Sequence, residues 1–334
     1  MNTSREDHKT SATFYKLVAL WAVCESFAGG ILHAINIPFT GMILGSLAVM
    51  CITMIARFVP GKTHILKATL IVCVFKLMLS PHSPPAAYLA VAFQGLVGQI
   101  LFLPGFTTAA AALLGCLALV ESAIQKMLVM IILYGAPFWK AVNEFLKKNF
   151  DPAGSHNYLY TMAVIYISIH AIIGLLTGLF SSYLARHADP WKGQYPHLMI
   201  SESTSDDQQR SDPRRKRRRI LYWMAWLLLL FFYIQAKTDP LYALLPISKL
   251  TDIFFRAIII LAGWYLLISP FLMWLIKRIL VKGKDKLHNE IKAVLELIPG
   301  TRHVFKESLR LSASVSGPER IIFFFRILFI NVLK

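Results

Sequence analysis

Residues 76–99 read KLMLSPHSPPAAYLAVAFQGLVGQ. An apolar run carrying Lys76 stops at Ser80, Pro81, His82, Ser83, Pro84 and Pro85, and a second apolar run starts at once with Gln94, Gly95, Gly98 and Gln99 inside it. Proline cannot continue a helix, and it biases the residue before it away from helical backbone. The stretch therefore predicts two helices joined by a rigid, extended crossover. A crossover of this kind between two membrane spans forms a mouth.

The rest of the chain has the same texture. Of 334 residues, 56% are hydrophobic and only 16% charged, and mean hydropathy is +0.56. The apolar residues come in continuous runs rather than in alternation with polar ones, which points to an all-α polytopic membrane protein and away from a β-barrel. The net charge of +17 then marks cytoplasmic loops and contact with anionic lipid, not nucleic acid. Cys24, Cys51, Cys73 and Cys116 all lie in apolar runs without CxxC spacing, so they read as small packing residues with no disulfide framework. No small-residue cleavage pattern follows the first apolar run, which is expected to be retained as a span.

Eight spans are expected, at about 13–35, 40–57, 65–80, 86–103, 106–136, 158–185, 220–236 and 253–281. The fifth is long enough to be tilted, or broken near Gln125 and Lys126. Arg57, Lys62 and Lys67 fall between spans two and three, whereas the turns at 36–40 and 80–85 carry no Lys or Arg. By the positive-inside rule the 80–85 crossover faces outward and both termini face the cytoplasm, although Lys140, Lys147 and Lys148 in the outward 137–157 loop run against this. The run PRRKRRR at 213–219 abuts an apolar span and acts as a topological anchor. It also divides the chain into a compact six-helix block at 1–186, a polar and basic linker at 187–219, and a segment at 220–334 with two more spans and amphipathic helices. In that last segment Ile291, Val294, Leu295 and Ile298 recur at helical spacing, a second helix is expected after Pro299 and Gly300, and a third over 319–334. These are expected on the inner membrane surface or against a cytoplasmic partner.

Several residues stand out against the apolar background. Ala22, Ser26 and Gly30 in the first span, and Gly174, Gly178 and Ser182 in the sixth, place small residues on one helix face, where another backbone can approach. The partner is either a helix of the same block or a separate module. Glu25, Lys76, Glu121 and Lys126 are ionisable residues in or beside spans; they either pair within the bundle or face an aqueous cavity. Lys76 and Glu25 are both placed to reach a cavity open to the outside. Gln94 and Gln99 sit on different helix faces, and Gln94 is the better candidate to hydrogen-bond a polar solute; the alternative is an interhelical bond. His33, His82 and His170 are scattered, which argues against a metal site. No HExxH, GxSxG or GxxxxGK[ST] pattern is found, so catalytic signatures are absent and the chain has no nucleotide loop of its own. No cofactor is expected.

On these residues the N-terminal block resembles the substrate-binding S component of energy-coupling-factor transporters. The likeness rests on six short-looped helices, on Ala22, Ser26 and Gly30 in the first helix, and on FAGGILHAINIPFTGMILGS and SPHSPPAAYLAVAFQGLVGQILF, a Pro-containing outward turn followed by a Gly-rich helix. The second half is similar, more faintly, to the transmembrane T component, through SDPRRKRRRILYWMAWLLLLF and the helices after Ile279. It departs from that family in lacking paired Ala-Arg-Gly motifs, Ser308-Leu309-Arg310-Leu311 being a remnant at best, and in having two spans where four or more are usual. The resemblance implies capture of a vitamin-like solute from outside, with Lys76, Gln94, Glu25 and Asn36 as contacts, and release driven by separate ATPase subunits in a bacterial inner membrane. A membrane-embedded enzyme of isoprenoid or lipid metabolism, with Glu25 or Glu121 as the acid, or an accessory subunit of one, and a ligand-free scaffold are the alternatives.

Overall fold

The computed structural model describes residues 2–28, 39–79, 85–150, 157–200 and 285–334, with scattered positions between 223 and 274. Every described element is a helix. They are α1 (Asn2–Val23), which continues into a π turn at Cys24–Ala28, α2 (Thr40–Phe58), α3 (His64–Leu79), α4 (Pro85–Leu101), α5 (Thr108–Phe150), α6 (Tyr158–Gln194), a short 3₁₀ turn (Pro196–Leu198), α7 (Asp285–Ser312) and α8 (Glu319–Val332). The chain forms two compact units. One comprises Met1–Ala123, Ile167–Asp207 and Ile276–Lys334; the other comprises Ile124–Tyr166 and Gln208–Leu275.

Local chemistry sets the breaks. Pro60 and Gly61 follow α2, with Gly61 at φ 132°, a backbone state suited to glycine. Thr107 Oγ1 accepts from the Ala110 amide at 3.0 Å and caps α5. The Asn157 side chain does the same for α6, accepting from Tyr160 N at 3.3 Å. Two expected breaks fall elsewhere. Helix α5 runs through Gln125 and Lys126, both good helix formers, and departs from helical geometry at Gly135 (φ 76°, ψ 165°) instead; it then continues to Phe150, through much of the expected 137–157 loop. Helix α7 runs through Pro299 without ending. Pro299 and Gly300 are exposed, and the helix goes on without the one backbone hydrogen bond that Pro299 cannot donate.

The first unit is built around α1. From Leu17 to Cys24 every residue is buried, with α2, α3, α7 and α8 all packed against this helix. At its start, Phe14 lies under Lys67 Nζ at 5.1 Å, and the same ammonium pairs with Glu290 of α7 at 2.7 Å. The sequence places helix α8 on the inner membrane surface or against a cytoplasmic partner. It is a core element: Ile327 to Leu333 are all buried, and Leu328, Phe329 and Ile330 join the same cluster as Leu17 and Trp21. Asn331 fixes it, accepting from Ile200 N at 2.7 Å and donating to the Leu198 carbonyl at 3.0 Å.

Helix α6 shows why the molecule suits a bilayer. From His170 to Ser182 its buried side carries His170, Gly174, Thr177, Gly178, Ser181 and Ser182, while Ile165, Ile169, Ile172, Leu176 and Leu179 face outward. An exterior more apolar than the interior is stable in hydrocarbon and costly in water. Among the described residues, Thr40–Phe58, Thr108–Ala136 and Tyr158–Gln194 are long and apolar enough to cross a membrane, and Ala87–Leu101 is a shorter apolar helix. The protein is thus an all-α chain with apolar helices of membrane-spanning length. The expected spans at 220–236 and 253–281 and the basic run at 213–219 lie mostly or wholly outside the described residues.

In the second unit, Trp226 donates its indole N–H to the Ile259 carbonyl at 3.1 Å, and the end of α5 meets the start of α6 where Leu159 N donates to Asn143 Oδ1 at 3.4 Å.

Candidate functional site

A π turn inserts one extra residue into a helical ladder and re-aims the side chains after it. At Cys24–Ala28 it turns Glu25 onto α3, where Lys76 Nζ donates to Glu25 Oε2 at 2.6 Å. The two side chains are 4% and 3% exposed. Taking both charges out of water costs several kcal/mol per ion, which the short contact offsets only because neither partner is left alone. Cys24, next to Glu25 in the chain, and Cys51 of α2 are buried free thiols, and Cys73 lies one turn before Lys76 on α3. The sequence left two possibilities for Glu25 and Lys76, and the geometry joins them to each other.

Gln94, on α4, is 3% exposed, and its Oε1 has no hydrogen-bond partner among the described residues. Its Nε2 lies across from Gly45 of α2, 3.5 Å from where a Cβ would sit. Next to it, Gly95 lets α4 close onto Thr69 of α3, where a Cβ would fall within bonding distance of the threonine side chain. Trp21 Nε1, Ser26 Oγ and Thr53 Oγ1 are also buried without partners among the described residues. These four donors and acceptors, from α1, the π turn, α2 and α4, hold hydrogen-bonding capacity that the helices do not use. Gln99 is different: its Oε1 accepts from Leu66 N at 3.1 Å and its amide donates to the Lys62 carbonyl, so it clamps the α2–α3 loop.

The small-residue lines have separate surroundings. Ala22 is fully buried in the α1 core and Ser26 nearly so. Gly174 and Gly178 meet α5 backbone to backbone, opposite Gly115 and Ala111, so closely that a Cβ on any of these glycines would overlap the facing carbonyl. Ser182 Oγ lies 3.0 Å from Thr108 Oγ1, and Thr177 Oγ1 reaches Ser46 Oγ of α2 at 3.3 Å. The partner of the α6 line is therefore α5 of the same unit. Its complement, Thr108, Ala111 and Gly115, was present in the sequence at near-helical spacing and went unread.

Glu121 Oε2 is buried and unpartnered among the described residues. Among the described residues no group of three His, Cys, Asp or Glu side chains is placed to hold a metal ion. Asn36, Gly30, His33, His82 and the 80–84 crossover lie outside the described residues. No protein-family model, curated protein or solved structure matches the chain. What the site does rests on its own chemistry. A closed ion pair is charge-balanced, and neither group can act as an acid or bind an ion without releasing the other.

Proposed function

We propose that the chain is a membrane solute-uptake protein. Residues 1–186 form its six-helix binding block, and residues 220–334 supply two further spans and a scaffold for separate ATPase subunits in a bacterial inner membrane, with both termini cytoplasmic. The observation that carries this reading is the buried Glu25–Lys76 pair at 2.6 Å, because ionisable groups inside apolar helices are costly and are kept where they meet a polar solute. The unused amide oxygen of Gln94 and the hydroxyl of Ser26 supply neutral contacts for a small vitamin-like molecule, and Asn36 adds one from the outward turn. Capture from outside, under the turns at 36–40 and 80–85, comes from the resemblance to S components.

The experiment is mass spectrometry of small molecules released from protein purified in detergent. A water-soluble vitamin-like compound is expected in wild type and absent from Gln94→Ala. Purified protein that is empty, and whose melting temperature no member of a vitamin panel raises, overturns the reading. Recovery of ATPase subunits with the full chain from native membranes tests the partner. A ligand-free scaffold is the second reading, favoured by the closure of Glu25 onto Lys76; it predicts the empty outcome.

A further inference from the structure

Helix α8 carries one cation into the buried side of the first unit. The guanidinium carbon of Arg326 lies 5.2 Å from the ring centre of Trp191 and 4.6 Å from that of Tyr195. Its Nε is buried without a hydrogen-bond partner among the described residues. The one acid on α6 between Tyr183 and Tyr195 is Asp189, and Lys192 holds it at 3.0 Å. Aromatic faces fix a guanidinium in orientation and attract it electrostatically, but they leave its charge without a counter-ion. Its planar fork matches two oxygens of a phosphate.

The neighbourhood says which phosphate. Trp191, near the end of α6, continues a ladder of rings along that helix, and Tyr195 follows just past it: Tyr183 lies against His187 at 4.1 Å with the rings tilted by 35°, and His187 approaches Trp191 at 6.0 Å. Below Tyr183 the line runs on through Leu179, Leu176 and Ile172, which are 46%, 59% and 59% exposed. The charged residues Arg186, His187, Asp189 and Lys192 begin where this apolar stripe ends. That succession of apolar stripe, aromatic rings and fixed cation follows a lipid from acyl chain to headgroup, and Trp and Tyr concentrate at that depth of a bilayer. The geometry points to an anionic-phospholipid site in which Arg326, oriented by Trp191 and Tyr195, binds the headgroup phosphate while one acyl chain lies along Leu179, Leu176 and Ile172.

The test uses the full chain purified in neutral detergent, with lipid occupancy read by native mass spectrometry during titration with phosphatidylglycerol. Wild type is expected to retain one phosphatidylglycerol that Arg326→Gln does not, with affinity at that site about tenfold to a hundredfold weaker in the variant, the range expected for losing charge-assisted hydrogen bonds. Arg310→Gln serves as the control, because Arg310 is exposed on α7 and already paired with Glu307 at 2.8 Å; it should bind as wild type does. Equal retention by Arg326→Gln, or equal loss in Arg310→Gln, overturns the site. Phosphatidylcholine titrated into wild type is expected to leave it empty, and equal retention of that lipid also overturns the proposal. Inorganic phosphate that displaces the retained lipid at millimolar concentration reassigns the cage to a soluble anion and overturns the lipid. Should Arg326→Gln fail to fold, Arg326→Lys keeps the charge without the planar fork, and undiminished lipid affinity in that variant counts against the proposal in the same way.

Discussion

A charge removed from a buried pair leaves its partner stranded, and that asymmetry decides what substitutions at Glu25 and Lys76 do. Lys76→Met is expected to destabilise the protein by ~3–5 kcal/mol, because the Glu25 carboxylate then sits unpaired at 4% exposure. The double variant Glu25→Gln/Lys76→Met should recover much of that loss, seen as a thermal midpoint in detergent closer to wild type than either single variant. If the double variant is as unstable as Lys76→Met, the pair is not the source of the stability. The individual residues were legible in the sequence, since an ionisable side chain in an apolar run stands out. Their pairing was not, because it joins positions 51 apart through a π turn that no spacing rule foretells. Gln94 behaves oppositely. Its oxygen has no partner to lose, so Gln94→Leu should leave the melting temperature within a few degrees of wild type, while Gln94→Ala empties the proposed site.

At the scale of the element, small residues mark where helices touch. Gly174→Leu is expected to destabilise by at least about 1–3 kcal/mol, since its side chain would start against the Gly115 carbonyl. Gly193→Leu, with open space around it, should be tolerated, and equal thermal midpoints for the two variants would refute close α5–α6 packing. Gly135 tests a different property. At φ 76° and ψ 165° it occupies a region essentially reserved for glycine, so Gly135→Ala should cost about 1–3 kcal/mol although it removes no contact. Apolar runs locate helices better than helix ends: the expected 40–57, 106–136 and 158–185 coincide in their starts with α2, α5 and α6, while α5 and α6 run on past the expected ends. Breaks were read less well. Proline at 299 reads as a stop because its ring meets the carbonyl four residues earlier and it donates no hydrogen bond to the helix, yet α7 runs on through it.

Across the whole first unit, the main contact runs between elements far apart in sequence. Helices α7 and α8 pack on α1, and Lys67 links Phe14 of α1 to Glu290 of α7. Removing residues 319–334 should uncover the apolar cluster that α8 shares with α1 and give protein that aggregates on size exclusion. Breaking only the partly exposed ion pair, with Glu290→Gln, should cost no more than about 1 kcal/mol. A truncated chain that stays monodisperse and melts as wild type does would show that α8 is dispensable. Amphipathic spacing in α7 and α8 is readable, but the face of α1 that receives them is not, since from Leu17 to Val23 α1 is apolar on every side.

The meeting of α1 with α8 also has a consequence in time. During synthesis α1 is made long before α8 exists, and its α8-facing surface must be covered by a neighbouring helix or another apolar partner until the later segment arrives. Contacts between distant parts of a chain are slow to form and expose their surfaces meanwhile. Maturation of this protein is therefore expected to finish in a late docking step, and the chain to be most vulnerable to proteases just before it.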